Sequence, residues 1–306
     1  MNNNNLQGNY SESLRLGNCN FCKATLMLII VLYHSGIFGG GYNIEYQNDS
    51  LGLFLKWLAS FHNYAFVLIS GYIYCYIKLE KKGYNDFRTF VVKKAKRLIV
   101  PFFIVGYLWV FPIRGLFLDY SFEQFIKNFV FGINPGQLWF LFMLFWVFIS
   151  AHYLVRKLGN NTKYLSIVIL TVYYAGMIIG NYLPNVFQLF TAMQYLPYFF
   201  IGFCLRKYEH ALRNKELYIL IAALILNVGL FGITQTIPHK GIQGTMFTLV
   251  AYPLMRLGGA VMIFLILDRL ARIVPWNNRF GLFLCEASFP IYLFHEQIIY
   301  LSLIHI

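Results

Sequence analysis

Residues Lys23–His34 read KATLMLIIVLYH and place a cation and an imidazole on one long apolar stretch. No residue from Ala24 to Tyr33 is charged, which predicts a membrane-embedded helix. Lys23 and His34 are eleven positions apart, roughly three helical turns plus 20°, so both side chains share a face about 16 Å apart along the axis. Ionisable groups in lipid are costly and usually face a bundle interior or a wet cavity, so His34 is a candidate functional residue. The alternative is a histidine that hydrogen-bonds across packed helices.

The composition of the whole chain extends this membrane prediction. Of the 306 residues, 58% are hydrophobic, 19% are aromatic and only 12% are charged, and the mean hydropathy is +0.57. Soluble domains carry roughly 25% charged residues, so this composition is typical of a multi-pass membrane protein. We expect an all-α, polytopic transmembrane helical bundle of about nine spans. The second span is expected at about 56–77 and the third near 98–113. A mixed loop at 114–136 is expected to contain Arg114 and a short amphipathic helix around Phe122–Phe129. A tenth span is expected to be missing at the C-terminus, because the chain stops inside an apolar run.

The domain organisation predicted from the same pattern is simple. Residues 1–20 are polar and rich in Asn, and we expect them to form a disordered tail. Residues 21–306 are expected to form one transmembrane domain, truncated at its C-terminus.

The net charge of +13 is concentrated in short basic clusters between apolar runs. Four alternate loops carry most of these clusters, at 78–97, 156–163, 206–216 and 268–279. The positive-inside rule therefore places those loops and the N-terminus in the cytoplasm, with the chain crossing the cell inner (plasma) membrane several times. Clusters of this kind lie beside anionic lipid and can also bind an anionic cosubstrate, so the charge does not indicate a nucleic-acid partner.

Lys94 and Arg97 belong to the most basic of these loops and lie three positions apart. On a helix they would share a face at the cytoplasmic membrane edge. One interpretation is an ordinary lipid-facing cluster. The other is an anion cradle for phosphate groups, in which arginine makes bidentate contacts and lysine supplies a point charge. Charge alone leaves both interpretations open.

His62 lies at the outer end of the second predicted span, at the end of the bundle to which His34 also points. Two imidazoles in one cavity are one interpretation, and an interfacial histidine beside aromatic residues is the other. A neutral imidazole can take a proton from an alcohol that attacks an acyl carbonyl, or attack directly and carry the acyl group. In a transporter it can relay protons instead.

Arg256 lies inside the eighth predicted span, with apolar residues on both sides. A cation there needs an internal acid or an anionic ligand as its partner. We predict that Arg256 helps to bind an anionic cosubstrate. Glu286 and Glu296 are the clear acids within predicted spans. The Cys19–Cys22 pair has the CxxC spacing but no second pair to complete a metal site, so no metal is expected.

Six short elements, in order along nearly the whole chain, resemble the membrane-bound acyltransferase 3 family, which includes bacterial O-acetyltransferases of surface polysaccharides. They are Lys23-x10-His34, Phe61-His62 with Phe66 and Ser70-Gly71-Tyr72, Lys94-x-x-Arg97 before Pro101, Leu138 to Leu141, the Tyr-Phe-Phe-Ile-Gly run at 198–202, and Ser288 to His295. The chain departs from the family pattern at Lys23 and Lys94, where the family often has arginine.

The resemblance implies a transmembrane helical bundle that takes an acetyl group from acetyl-CoA, as cosubstrate, and transfers it to a hydroxyl of a cell-surface or lipid-linked glycan. On the matching positions, His34 would be the catalytic histidine and Lys23 its basic partner. His62 would lie near the acceptor or the acyl carbonyl. Lys94 and Arg97 would contact the phosphates of CoA.

The alternative function is a transporter or exporter of a glycan or small molecule, with His34 and Arg256 in the pathway. Transporters often contain inverted internal repeats and paired broken helices. The sequence shows no such repeat, so we favour the transferase.

Overall fold

The computed structural model describes residues 3–39, 50–117, 121–159, 161–237 and 241–303, with side chains of the first helix described from Gly17 to Gly36. Throughout these ranges the regular structure is helical, without strands. Eight helical runs among the described residues are long and apolar enough to cross a membrane: Gly17–Gly36, Ser50–Glu80, Phe87–Leu116, Gly136–Leu158, Thr162–Gly180, Val186–Lys207, Glu209–Thr236 and Gly244–Ile273. The chain is therefore an all-α, multi-pass membrane protein, as its composition predicted.

The individual helices are interrupted by short π-helical and 3₁₀ segments. The α-helices are α1 (Asn3–Gly39), α2 (Ser50–Ala59), α3 (His62–Cys75), α4 (Phe87–Val105), α5 (Phe111–Phe117), α6 (Phe122–Phe125), α7 (Trp139–Leu158), α8 (Thr162–Gly180), α9 (Leu189–Lys207), α10 (Glu209–Leu212), α11 (Glu216–Thr236), α12 (Gly241–Met246), α13 (Tyr252–Ile273) and α14 (Arg279–Leu303). The π-helical segments are Tyr76–Glu80, Gly106–Val110, Ile126–Val130 and Phe247–Ala251.

The structure differs from the sequence prediction near the N-terminus and contains the predicted ninth helix near the C-terminus. Helix α1 begins at Asn3, so it runs through most of the segment 1–20 that was expected to be disordered, and the proposed domain boundary stays a prediction. The predicted ninth span corresponds to α14, which has 25 residues. It is not among the eight runs above, and the polar residues Ser288, His295 and Glu296 lower its hydropathy. A tenth span stays a prediction outside the described residues.

Polar residues set where several helices begin. Asp86 caps α4 by accepting a hydrogen bond from the backbone N–H of Thr89 at 2.7 Å. Hydrogen bonds from the Thr89 side chain and backbone hold the pKa of the Asp86 carboxyl below its ordinary value. Ser121 and Gln124 form a reciprocal capping box at the start of α6. The short amphipathic helix predicted around Phe122–Phe129 is therefore present.

The second and third predicted spans differ from the structure in detail. The second, predicted at about 56–77, lies within the run Ser50–Glu80, but a turn between α2 and α3 interrupts its helix, where the Ser60 N–H donates to the Trp57 carbonyl at 3.0 Å. The third span, expected to end near residue 113, continues to Leu116. Arg114 therefore lies in a helix instead of a loop, and its guanidinium pairs with a buried carboxylate.

The chain divides into two compact units. The first comprises Met1–Ile73 and Tyr208–Tyr292. Within it, α11 and α13 pack closely because two glycines of α13 carry no side chain. A Cβ on Gly258 would lie 2.9 Å from the Ala223 carbonyl oxygen, and one on Gly259 would lie 2.6 Å from Asn227 Nδ2. Small residues at such crossings let helix backbones approach each other.

The second unit comprises Tyr74–Lys207 and Leu293–Ile306. Aromatic side chains dominate its interior, and the rings of Phe102 and Phe142 lie 4.3 Å apart between centroids. Helices α8 and α9 meet at Gly176, where a Cβ would lie 2.6 Å from the Met193 Cβ. Several buried polar residues lie within this aromatic packing, among them Lys94, Gln137 and His152.

Candidate functional site

Two of the predicted site histidines lie against one aromatic side chain in the first unit. The ring centroid of Tyr33 lies 5.3 Å from that of His34 and 5.0 Å from that of His62. His34 is half-buried and His62 is only 3% exposed. The two imidazoles therefore border a common ring, although 28 positions separate them in the sequence.

The hydrogen bond of His62 determines how its imidazole can react. Its Nδ1 lies 2.8 Å from the carbonyl oxygen of Leu58, one helical turn earlier in the chain. Because a carbonyl oxygen only accepts, Nδ1 carries the proton, and Nε2 of the neutral ring carries the lone pair. An imidazole held in this tautomer can accept a proton at Nε2.

Asn227, which the sequence analysis did not single out, anchors the turn that precedes His62. Its Oδ1 accepts a hydrogen bond from Trp57 Nε1 at 2.8 Å, and its Nδ2 donates to the Met255 carbonyl at 2.9 Å and to Ser60 Oγ at 3.2 Å. The side chain is completely buried. These bonds tie the α2–α3 turn to α11 and α13. An amide inside an apolar span was the available sequence signal.

Replacing Asn227 with leucine is expected to lower the free energy of unfolding by about 2–3 kcal/mol, because it leaves several buried polar groups without their partner. Unfolding of the protein in neutral-lipid nanodiscs measures this. Gln235→Leu is the matched control, since this amide lies on the same helix and is exposed. Equal stability of the two variants would contradict the anchoring role of Asn227.

Lys23 and Arg256, the other predicted site residues of the first unit, are both half-buried. Lys23 lies on α1 with His34, about 16 Å away along the axis. The Arg256 guanidinium carbon lies 5.1 Å from the ring centroid of Tyr64 and 5.6 Å from that of Tyr252. Cation–π attraction from these rings stabilises a charge for which the sequence analysis expected an acid or an anion.

Lys94 and Arg97 lie in the second unit and differ in access to solvent. Lys94 is 8% exposed. Its Nζ lies 3.4 Å from the Phe148 ring centroid and 5.5 Å from those of Tyr84 and Phe90. Arg97, almost one turn further along α4, is exposed. Their spacing puts them on one side of α4, but α7 supplies Phe148 and thereby helps to bury Lys94.

A buried ion pair joins Arg114 to Glu296 in the second unit. The Arg114 Nη2 lies 2.9 Å from Glu296 Oε1, and the backbone N–H of Gln137 donates to Glu296 Oε2 at 3.0 Å. The Gln137 side chain also hydrogen-bonds to Gln297. Glu296, one of the two acids expected within spans, is thus paired with an arginine that the sequence analysis had placed in a loop.

No group of three or more His, Cys, Asp or Glu side chains within the described ranges could hold a metal ion. Cys19 and Cys22 are buried thiols on α1. The residues predicted to act in the site are histidines, lysines and arginines, which are suited to proton transfer and anion binding.

Comparison with known proteins adds one finding to this geometry. A family model described as an acyltransferase domain matches residues 17–303. The matched range includes every predicted site residue and all six of the sequence elements noted above. Neither the comparison with curated proteins nor the comparison with solved structures finds a match.

Proposed function

Because this chain belongs to the acyltransferase 3 family, we propose that it transfers an acetyl group from acetyl-CoA to a hydroxyl of a cell-surface or lipid-linked glycan. Family membership and the apolar helices make the protein a multi-pass membrane acyltransferase. The acetyl donor, the glycan acceptor and the ester product are the proposal. The observation that carries it is the placement of His34 and His62 against the ring of Tyr33.

In the proposed reaction, His34 acts as the general base. The acceptor hydroxyl oxygen attacks the thioester carbonyl carbon while the His34 imidazole takes the hydroxyl proton. A C–O bond forms, the C–S bond breaks, and the CoA thiolate leaves and takes up that proton. A second route, in which His34 attacks the thioester and carries the acetyl group, uses the same residue as a nucleophile.

His62 is proposed to contact the acceptor. In the neutral ring, Nδ1 donates to the Leu58 carbonyl, so Nε2 can accept a hydrogen bond but not donate one. An acceptor hydroxyl can donate to this nitrogen, whereas an acyl carbonyl would need a donor. Of the two positions predicted for His62, the hydrogen bond to Leu58 therefore favours the one beside the acceptor.

The basic residues are proposed to bind the anionic donor. Exposed Arg97 offers a planar fork for a phosphate group, and Lys94 offers a point charge. Arg256 in the first unit is proposed to contact an anionic part of the donor. Lys23 is about 16 Å along the helix from His34, too far to exchange a proton with it directly, so its proposed contribution is electrostatic.

The proposed location is the cell inner membrane, with the N-terminus in the cytoplasm. The support is the excess of lysine and arginine in alternate loops, which would then lie on the cytoplasmic side. This orientation would bring Lys94 and Arg97 to the side of the membrane where acetyl-CoA is made. The partners are acyl-CoA, a glycan or lipid-linked sugar, and the lipid bilayer.

Membranes that contain the full chain, incubated with acetyl-labelled acetyl-CoA, are expected to transfer label into the glycan or lipid-linked sugar fraction. The label should be released by mild base, because an O-acetyl ester is base-labile and an amide is not. Membranes from the same cells without the protein are the control. Equal labelling of both membranes, or label that resists base, would overturn the proposal.

A further inference from the structure

His152 is a buried histidine of the second unit to which neither the sequence analysis nor the proposed reaction assigns a role. It lies on α7 and is completely buried. Its Nδ1 lies 2.8 Å from the Tyr74 hydroxyl. Among the described residues, Nε2 of this ring has no hydrogen-bond partner. A buried polar atom without a partner is unfavourable, and a bound water, ion or ligand group can satisfy it.

The hydrogen bond to Tyr74 indicates what kind of group this is. If the Tyr74 hydroxyl donates to Nδ1, its proton is satisfied and Nε2 carries a hydrogen that can be donated. The reverse arrangement would leave the phenol proton to find another acceptor in an apolar interior. The structure therefore favours an N–H donor at Nε2, and such a donor requires an acceptor.

The charges around His152 favour an anionic acceptor. Lys78, Lys94 and Arg156 all act electrostatically on its imidazole. Lys94 and His152 also share a neighbour, because the Phe90 ring centroid lies 4.2 Å from that of His152 and 5.5 Å from Lys94 Nζ. A buried N–H donor and a buried ammonium thus border the same phenylalanine within a cationic field.

The loop that precedes α4 covers this region. Lys82 and Tyr84 have positive φ angles of 50° and 57°, a conformation that is uncommon for such residues and is concentrated near ligand sites. The Tyr84 ring stacks on Tyr74 with centroids 5.8 Å apart, and Lys78 Nζ donates to the Tyr84 carbonyl at 3.0 Å. Burial raises the pKa of the Tyr84 phenol, and the charge of Arg97 opposes this rise.

We infer that His152 Nε2 and Lys94 Nζ form a recess for a phosphate group, which becomes accessible when the Tyr84 ring moves aside. Arg97, which is exposed, would then bind a second phosphate group that lies outside the recess. The inference rests on the proposed function when the phosphate belongs to acetyl-CoA. An anionic lipid headgroup carries the same chemistry, so the experiment has to separate these two sources.

The test compares the affinities of coenzyme A and pantetheine, which lacks the phosphates, for the full chain in nanodiscs of neutral phosphatidylcholine. Because pantetheine also lacks the adenosine of coenzyme A, their ratio measures the binding that the phosphates and the adenosine contribute together. We expect His152→Phe to reduce this ratio roughly tenfold or more, since a hydrogen bond to a charged group is lost. His152→Gln, which keeps a side-chain N–H, is expected to retain part of it. Lys94→Met is expected to reduce the ratio as well.

Two variants control for non-specific effects. His210→Phe changes an exposed histidine of α10 in the first unit, and Lys157→Met removes an exposed cation of α7. Both are expected to keep the wild-type ratio within about twofold. The pantetheine affinity and the unfolding midpoint show whether His152→Phe remains folded, and His152→Gln provides the comparison if it does not.

The outcomes separate this inference from the proposed function. If His152→Phe and His152→Gln keep the wild-type ratio while Lys94→Met lowers it, the recess is overturned and the donor site at Lys94 stands. If coenzyme A does not bind but phosphatidylglycerol binds in a manner that depends on His152, the recess stands and its phosphate comes from lipid. Binding of neither probe in a His152-dependent manner overturns the inference.

Discussion

Replacing His34 with alanine is expected to lower the rate of acetyl transfer about 10²- to 10⁴-fold, the range for loss of a positioned general base. The substitution removes the imidazole that borders Tyr33 in the first unit. Initial rates with labelled acetyl-CoA, in membranes adjusted to equal amounts of the full chain, measure the effect. Because the base acts in the transition state, kcat should fall while the KM for acetyl-CoA changes little.

His210→Ala is the matched control for this prediction, since it removes an exposed imidazole of the same unit. It should transfer acetyl groups at the wild-type rate. Undiminished transfer by His34→Ala would exclude His34 as the general base and as the nucleophile. Rapid denaturation of the wild-type protein at neutral pH without acceptor separates the two roles, because an acyl-imidazole is labile in acid, and label retained on His34 would show the covalent route.

Replacing Arg114 with alanine is expected to lower the free energy of unfolding by about 3–5 kcal/mol. The loss leaves the Glu296 carboxylate buried without its cation, although the Gln137 N–H still donates to it. The side chains of Arg114 and Glu296 are only 12% and 7% exposed, so water cannot readily replace the lost partner. Equilibrium unfolding in neutral-lipid nanodiscs measures the change.

Arg272→Ala is the comparison for this second prediction. The Arg272 side chain is 51% exposed and pairs with Asp268 and Glu216, so its removal is expected to change stability by about 1 kcal/mol or less. A double variant, Arg114→Met with Glu296→Leu, should recover much of the stability lost in Arg114→Ala, because no unpaired charge remains. If Arg114→Ala and Arg272→Ala lower the free energy of unfolding equally, the Arg114–Glu296 pair contributes little to stability.

Hydropathy predicted the helices of this protein well, because lipid requires every backbone polar group to be satisfied within the chain. The all-α, multi-pass character follows from runs of about 20 apolar residues, and it is confirmed among the described residues. The same local pattern drew attention to His34 and Arg256, since an ionisable side chain stands out in an apolar run. The membrane acyltransferase assignment, suggested by six ordered elements, is confirmed by the family match over residues 17–303.

The break between α2 and α3 was not predictable in the same way. Residues on both sides of the turn are apolar or aromatic, so the local pattern continues through it. The turn is held by Asn227, which lies 170 positions from its partner Trp57. A hydrogen bond between such distant residues leaves no periodic signal in either segment.

Arg114 and His152 illustrate the same limit for charged and polar groups. Arg114 follows an apolar stretch where the sequence predicts the start of a loop, because nothing nearby indicates its partner Glu296, which lies 182 positions away. His152 looked like an ordinary residue near the end of a span until burial removed it from solvent and left Nε2 without a partner in the described chain.

Composition and spacing were thus sufficient for the multi-pass membrane character and the helical class, and they also selected ionisable residues as candidates for the site. These properties depend on free energies summed over neighbouring residues, and the order of apolar and polar residues along the sequence is enough to estimate such sums. Helix packing was needed to show that His34 and His62 border Tyr33, that Lys94 is enclosed by aromatic rings while Arg97 is exposed, and that Glu296 is held by Arg114. Those pairings depend on contacts between residues far apart in the chain, and burial gives each contact its energetic weight.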